Sequence, residues 1–484
     1  MRIQLVFWNL GRISLILGVS MLLPIICSLY YQSHDLNALL LGMAVNLIVG
    51  AVLMLLFKKS RKQSLRLREG FALVTFAWIL AAVLSTIPYL ASGVCTNFFD
   101  AFFESVSGYT TTGASILTDV EIVPQGVMMW RCLTHWLGGM GIVVLLLVFT
   151  NNGGSVNLYK AEAPGNSLTD KIVPRISHTS QILWITYLIM TIVMIILLLL
   201  GGMNLFDSIC HTFGTVATGG FSVKNASVGY YDSAYIQWVI IIFMFFAGSN
   251  FAFFYMLFIK RKNEFLHNEE FRVYFFIVLA AVALITLNLL QTNFYDGKSL
   301  EYIIRQAAFQ VTTIITTTGF ATTDFNLWPA FSKIVLFTLF FIGGCTGSTS
   351  GSIKVARIIV AVKNSFIELF RSVHPKVVRP VRINGKAISS AQTSGILQFI
   401  FIFFVLVFIG GLVLSFTGMD MLESFSAAAT CLGNVGPGFG AVGPASNFSA
   451  ITDGGKFLLS IYMLIGRLEL FTVLVLFMPT VWKK

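Results

Sequence analysis

Charge is what this sequence has least of. Only 11% of its 484 residues are Asp, Glu, Lys or Arg, while 56% are apolar; a soluble domain carries about 25% charged residues. That shortage excludes a water-soluble globule. The many apolar runs that reach the roughly 20 residues needed to cross a bilayer point instead to a polytopic, all-α membrane protein. Catalytic patterns are missing too. There is no HExxH, no GxSxG and no acidic cluster, and His135, His178, His211, His267 and His374 fall in unlike settings. An enzyme needs a nucleophile beside a base, or a ligand set, so none is expected. The cysteines (Cys27, Cys95, Cys132, Cys210, Cys345 and Cys431) lack metal-ligand spacing and read as small buried residues. No Gly-rich turn follows a strand to cradle a nucleotide. The first apolar run lacks a small-residue cleavage site and reads as a spanning helix. A net charge of +11 would suggest nucleic acid in a soluble chain; here the placement of the charges matters more, and no nucleic-acid partner is expected.

What is present is a repeated layout. Residues 7–31 and 37–57 form an apolar hairpin, followed by KKSRKQSLRLRE with six Lys or Arg between positions 58 and 68. Spans then come in pairs: 71–92 with about 126–149, 181–201 with 235–259, 271–290 with a run from 330, and 395–416 with 457–479. Between the members of each pair lies a run of about 12 apolar residues, too short to cross and able only to dip in and return. This divides the chain into a hairpin with its basic loop (1–69) and four units, 70–180, 181–269, 270–390 and 391–484. Lys and Arg gather in the loops at 58–69, 150–180 (Lys160, Lys171, Arg175), 260–272 (Lys260-Arg261-Lys262) and 354–390, and in Lys483-Lys484. The opposite loops hold Asp119, Glu121, Asp232, Asp296, Asp324 and Asp453. Basic loops stay in the cytoplasm, which predicts ten spans with both termini inside and all four short runs opening outward.

Each short run ends in a glycine turn: Thr110-Thr111-Thr112-Gly113, Ala217-Thr218-Gly219-Gly220, Thr316-Thr317-Thr318-Gly319 and Gly433-Asn434-Val435-Gly436. Thirteen residues before Gly113, Gly220 and Gly436 stand Asp100, Asp207 and Glu423; the third unit has Gln306 there. An acid at that place sits at the positive end of a short helix, whose negative end then aims at the turn. Glycine permits backbone angles that point successive carbonyls one way, and such carbonyls can replace a cation's hydration shell. No carboxylate falls in the turns, so an acidic ring for divalent ions is not expected. The turn GNVGPGFG departs from the threonine pattern and predicts one asymmetric wall.

The set of four turns resembles the Trk/Ktr/HKT superfamily of potassium transporters, and the bacterial TrkH type in particular, over the whole chain. The resemblance implies a two-helix N-terminal hairpin plus four helix–re-entrant loop–helix repeats around a central cation pore in the bacterial inner membrane. It places filter glycines at Gly113, Gly220, Gly319 and Gly436, and makes the carbonyls of Thr111, Thr112, Thr218, Gly219, Thr317, Thr318, Asn434 and Val435 the ligands of a transported potassium ion. In plant relatives a serine at the first such glycine goes with sodium transport, so Gly113 implies potassium preference. The family also implies a homodimer, each copy with its own pore, and a cytosolic TrkA-type ring that binds NAD or ATP and docks on the basic loops.

Two further stretches carry chemistry. The run FTLFFIGG, with Gly343 and Gly344, leads into Cys345-Thr346-Gly347-Ser348-Thr349-Ser350-Gly351-Ser352. Small residues at membrane depth break a helix, though they also serve close helix packing. The family resemblance makes this an intramembrane gating loop. Arg467, deep in the last span, is costly there unless it faces a cavity or a partner such as Glu469. The resemblance places it facing the pore as a barrier to cations. Arg131, His135 and Arg305 read as structural. The competing reading is a proton- or sodium-coupled potassium carrier, which also uses broken helices but typically in inverted repeats; four repeats of one orientation favour a ring around one axis.

Overall fold

Backbone groups in lipid must bond within their own segment, so long apolar runs become helices. The computed structural model describes residues 1–60, 65–141, 176–258 and 264–482. The loop with Lys160, Lys171 and Arg175, the lower part of the 126–149 span, the Lys260-Arg261-Lys262 triplet, Arg61 and Lys62, and Lys483-Lys484 lie outside the described residues. Among the described residues six helices are long and apolar enough to cross a bilayer: Ile3–Tyr31, with a break at Met21, Leu36–Leu56, Leu67–Ala91, Ser180–Leu200, Glu269–Gln291 and Ser390–Phe416. The first two are the hairpin; the other four each open a repeat. Their lipid-facing side chains, among them Leu55, Leu200, Phe276, Phe401 and Phe416, are left exposed for a bilayer to cover.

The second helix is interrupted in repeats two, three and four, where a break was expected only in the third, and in repeat one it ends just before the described residues do. Gln125–Gly139 stops at Met140, Ala234–Ala247 is separated from Phe251–Phe258, and Ala330–Leu339 from Val355–Val373. Asp453–Arg467 turns through 108° into Phe471–Phe477. Irregular backbone is tolerated at this depth because protein surrounds it: Gly141 has φ 83°, and Glu469 and Leu470 have φ 57° and 55°.

Short helices lie between the long ones: Phe98–Tyr109, Leu205–Val216, Leu300–Ile315 and Met421–Gly433. Each begins on a side-chain cap. Asn97 accepts from the Asp100 N–H (2.8 Å), Asn204 from Asp207 (2.8 Å), Ser299 from Tyr302 (3.2 Å) and Asp420 from Leu422 (3.4 Å); such caps contribute about 1 kcal/mol each. The first-turn acids are Asp100, Asp207, Glu301 and Glu423. The third therefore corrects the count that placed Gln306 at the helix start. That helix has 16 residues against 12, 12 and 13, so it starts earlier, Glu301 meets the positive end, and Gln306 is buried mid-helix.

The repeats close on one another in order. On the side of the glycine turns, the Val120 N–H donates to the Asn225 side chain (2.8 Å), Gly229 N–H to Ala321 O (3.0 Å), Gly440 N–H to the Asn326 side chain (3.2 Å) and Phe448 N–H to Ser115 O (2.8 Å). Those contacts join repeats one to two, two to three, three to four and four to one. The Asn225 amide also donates to Asp119 (2.8 Å) and holds that exposed carboxyl below its usual range. The hairpin packs against the first repeat: buried Asp35 accepts from Ser28 (2.6 Å) and Ser33 (2.5 Å) and caps Gln125–Gly139 by accepting from the Val127 N–H (2.6 Å). Within the hairpin, Gly11 and Gly50 face each other so closely that a Cβ on either would stand 2.8 Å from the other's carbonyl oxygen.

Candidate cation pathway

All four short helices end in the same way. The residue two before each turn glycine is left-handed: Thr111, Thr218 and Asn434 at φ 53°, Thr317 at 55°. The N–H of the next residue then reaches back five positions: Thr112 to Ser107 O (3.0 Å), Gly219 to Gly214 O (2.7 Å), Thr318 to Thr313 O (2.8 Å) and Val435 to Thr430 O (2.9 Å). This is the Schellman closure, which satisfies the last carbonyls of a helix. Left-handed backbone is costly for a β-branched residue and mild for asparagine. The fourth wall thus reaches the same backbone with a more permissive residue. The Asn434 amide donates to Thr112 Oγ1 (2.9 Å) and Met463 O (2.9 Å), tying repeats one and four.

The glycines themselves form a closed cycle. A Cβ on Gly113 would strike the carbonyl oxygen of Gly219, one on Gly220 that of Thr318, one on Gly319 that of Val435 and one on Gly436 that of Thr112. Each glycine, at φ 79–105°, therefore lies against the residue preceding the next repeat's glycine, and the fourth returns to the first. The structure thus brings Thr111, Thr112, Gly113, Thr218, Gly219, Gly220, Thr317, Thr318, Gly319, Asn434, Val435 and Gly436 around one centre. Threonine hydroxyls bond behind the turns: Thr110 with Thr112 and Thr316 with Thr318, both at 2.8 Å.

Beneath the cycle lie residues 340–354, non-helical apart from one short bridge between Ile342 and Ile353. Their small side chains matter for close approach. A Cβ on Gly343 would strike Gly351 O, one on Gly344 the carbonyl of Gly248, and one on Gly351 that of Gly433. The loop touches the turns directly: the Gly351 N–H donates to Thr317 Oγ1 (2.7 Å), and Thr218 Oγ1 to Thr349 Oγ1 (3.2 Å). Cys345 N–H donates to Gly248 O (2.8 Å), Ser352 Oγ to Phe340 O (2.7 Å), and Ser348 Oγ shares a bond with Ser350 Oγ (2.7 Å). Gly347, at φ 80°, gives its carbonyl to the Phe251 N–H (3.2 Å). Arg467 binds three carbonyl oxygens, those of Thr349 (2.7 Å), Gly138 (2.6 Å) and Gly139 (2.7 Å). Its guanidinium thus joins the loop of repeat three to the end of the second helix of repeat one.

Several residues that hold this region were not singled out in the sequence. Glu270 is buried and one of its oxygens accepts from the Thr346 N–H (2.6 Å), the Thr346 hydroxyl (2.9 Å) and the Ala356 N–H (3.2 Å). It pins both ends of the break. Lys354 donates to the carbonyl and, at 3.2 Å, to the hydroxyl of Ser350. Arg357 pairs with Glu469. Glycines at the other breaks sit against the short helices: Gly138 on Tyr109 O, Gly466 on Leu432 O and Gly248 on Thr316. Only the GG, GSN and GR fragments marked them. Of the side chains read as structural, Arg131 pairs with Glu104 (2.6 Å), His135 Nδ1 bonds Gly108 O (2.6 Å), and Arg305 pairs with Glu301 (2.9 Å).

The model of the family TrkH, described as a cation transport protein, matches residues 36–484. The chain belongs to the TrkH family. It is 36% identical over 478 residues to the Trk system potassium uptake protein TrkH of Salmonella typhimurium, covering 98% of each chain. It is 37% identical over 481 residues, again 98% of each, to the protein of that name from Vibrio parahaemolyticus. The crystal structure of the potassium transporter TrkH from Vibrio parahaemolyticus superimposes on it with a TM-score of 0.91 at 33% identity, over 100% of both chains. This TrkH-family chain is a multi-pass helical membrane protein.

Proposed function

We propose that this chain takes up potassium across the bacterial cytoplasmic membrane through a channel-like pore. The closed glycine cycle is its selectivity filter, and residues 343–352 with Arg467 are its gate. The cycle carries this reading: four Schellman-ended helices aim their negative ends at one centre, and side-chain-free backbone there offers carbonyls in place of water. The relatives are a potassium uptake protein and a potassium transporter, which supports this reading. Below the filter, a fixed guanidinium that cannot lose its charge and a loop anchored on three sides close the path and repel cations.

Both termini and the basic loops face the cytoplasm in this reading, and the filter opens outside. Two copies pair, each with its own pore, and a cytosolic nucleotide-binding ring docks on the basic loops and draws the Val355–Val373 helix and its loop aside. The test is rubidium against sodium uptake by the purified chain in liposomes, with single-channel recording to separate a pore from a coupled carrier. Selective rubidium flux with resolvable unitary currents is expected; uptake that requires a proton or sodium gradient would replace the pore by the carrier. For orientation, Asp119→Cys should react with an impermeant thiol reagent in intact cells and Val378→Cys should not. The six native cysteines are buried, so background is low.

A further inference from the structure

Nine residues before the filter glycines stand Glu104, His211, Gln310 and Ala427. In three repeats this side chain crosses the back of the turn to a hydroxyl just past the glycine. Glu104 accepts from Ser115 Oγ (3.0 Å) and the Ile116 N–H (3.0 Å). His211 Nε2 bonds Ser222 Oγ (3.0 Å), and Gln310 donates to Thr322 Oγ1 (3.4 Å). In the fourth repeat Ala427 reaches nothing comparable, and the neighbouring Ser426 hydroxyl accepts from the Phe439 N–H instead (3.0 Å).

Only the first of these braces carries an ion pair, Glu104 with Arg131 of the same repeat, and Arg131 extends it to the second repeat. Glu104 is 0% and Arg131 2% exposed, 2.6 Å apart. Arg131 also donates to Ser222 O (3.1 Å), and its guanidinium carbon lies 3.5 Å from the centre of the Phe221 ring. Ser222 is therefore gripped at its carbonyl from repeat one and at its hydroxyl by His211 of repeat two. Ser115 and Ser222 each follow a filter glycine by two residues, and Gly113 lies directly against Gly219 O. A shift of either segment moves that contact.

We propose that Glu104, Arg131, Ser222 and His211 form one relay behind the filter. The relay fixes the spacing of the first two walls and so sets potassium-over-sodium discrimination; its members are positioning residues, not ion ligands. This rests on the pore reading above. The pair is buried, so removing one partner leaves an uncompensated charge beside the pathway. Charge and position can be separated because the first governs how much cation passes and the second which cation.

The test measures rubidium and sodium uptake by the full chain in liposomes. The variants are Glu104→Gln, Ser115→Ala, Gln310→Leu and the charge-neutral double change Glu104→Gln with Arg131→Met. Expected is a fall in the rubidium-to-sodium ratio of about tenfold in Glu104→Gln, on the scale of a lost charged hydrogen bond, and a smaller fall in Ser115→Ala. Gln310→Leu, in a neutral brace confined to its own repeat, should move the ratio least. The double variant should regain flux yet keep the low ratio, which a purely electrostatic role would not produce. A wild-type ratio in both Glu104→Gln and Ser115→Ala overturns the relay. If Glu104→Gln does not fold, Ser115→Ala decides by the same criterion. A wild-type chain that shows no selective flux counts against the pore reading itself, and the relay falls with it.

Discussion

The glycine cycle and the layer of breaks beneath it are built from the same four repeats, yet they differ in kind. In the cycle the four walls share one backbone: left-handed φ at 53–55°, the same five-position closure, the same glycine against its neighbour's carbonyl. Below, no two breaks are alike. The first is a glycine pair ending at Met140, the second spans residues 248–250, the third is the whole stretch 340–354, and the fourth is a sharp turn through Glu469 and Leu470. An ion held at a centre needs equivalent walls, so the upper layer repeats. The lower layer has one long irregular segment in repeat three, and its contacts come from the other repeats: Gly248 O, the carbonyls of Gly138 and Gly139, and Arg467. On the gating proposal above, difference among the repeats there separates the part that would move from the parts that would hold it.

The largest effect should come from breaking the equivalence of the walls. Replacing Gly113 or Gly220 with Ser puts a Cβ onto a backbone oxygen in left-handed backbone; the rubidium-to-sodium flux ratio should fall by roughly tenfold or more. At Gly319 and Gly436 the facing oxygen stands at 2.5 and 2.6 Å from the same built Cβ, further than at the other two. The same change should do less there, and a reversed order across the four variants would show that contact distance does not rank the walls.

Next comes the lower layer. Arg467→Ala removes three hydrogen bonds and the fixed charge, and partial deletion of 345–352 removes the loop. Either should raise potassium flux in the isolated subunit without changing the ion ratio. Lower flux in folded protein would instead give Arg467 a supporting role. Glu270→Ala frees both ends of the break and should act in the same direction more weakly, read as flux and as faster proteolysis within 340–356. The smallest effect belongs to one of the bonds that join the layers. Thr317→Ala removes the acceptor of the Gly351 N–H, a loss of about 1 kcal/mol that corresponds to roughly a fivefold shift toward an open loop. A change in ion ratio larger than the change in flux would show that Thr317 serves the filter alone.

The sequence made the upper layer legible and the lower one only in part, for a physical reason. A filter turn constrains residue type at fixed spacing: glycine where the neighbour's carbonyl intrudes, a hydroxyl two before it. Four copies make that pattern visible, and even Asn434, which looked like an exception, obeys it through tolerance of left-handed backbone. Three of the breaks are marked by one or two glycines in an apolar run, which helix packing also uses, so they pass unnoticed. Glu270 and Glu469 act across long stretches of chain (Thr346 with Glu270 76 apart, Glu469 with Arg357 112 apart), so nothing local marks those contacts. The first turn of the third short helix was misplaced because counting back from the glycine assumes equal lengths. The back braces could have been found by the same count, nine instead of thirteen, since Glu104, His211 and Gln310 are all large and polar.

The closed cycle also bears on inheritance. In a pore assembled from four identical chains, one codon writes all four walls, and any substitution strikes four times at once. Here each wall has its own codon. A single base change alters one quarter of the ring while three stay as they were, and Asn434 stands among three threonines on the same left-handed backbone. If the cycle is the filter proposed above, its selectivity can change in quarter steps, and an asparagine wall or a charged brace can be kept in one repeat without being imposed on the rest.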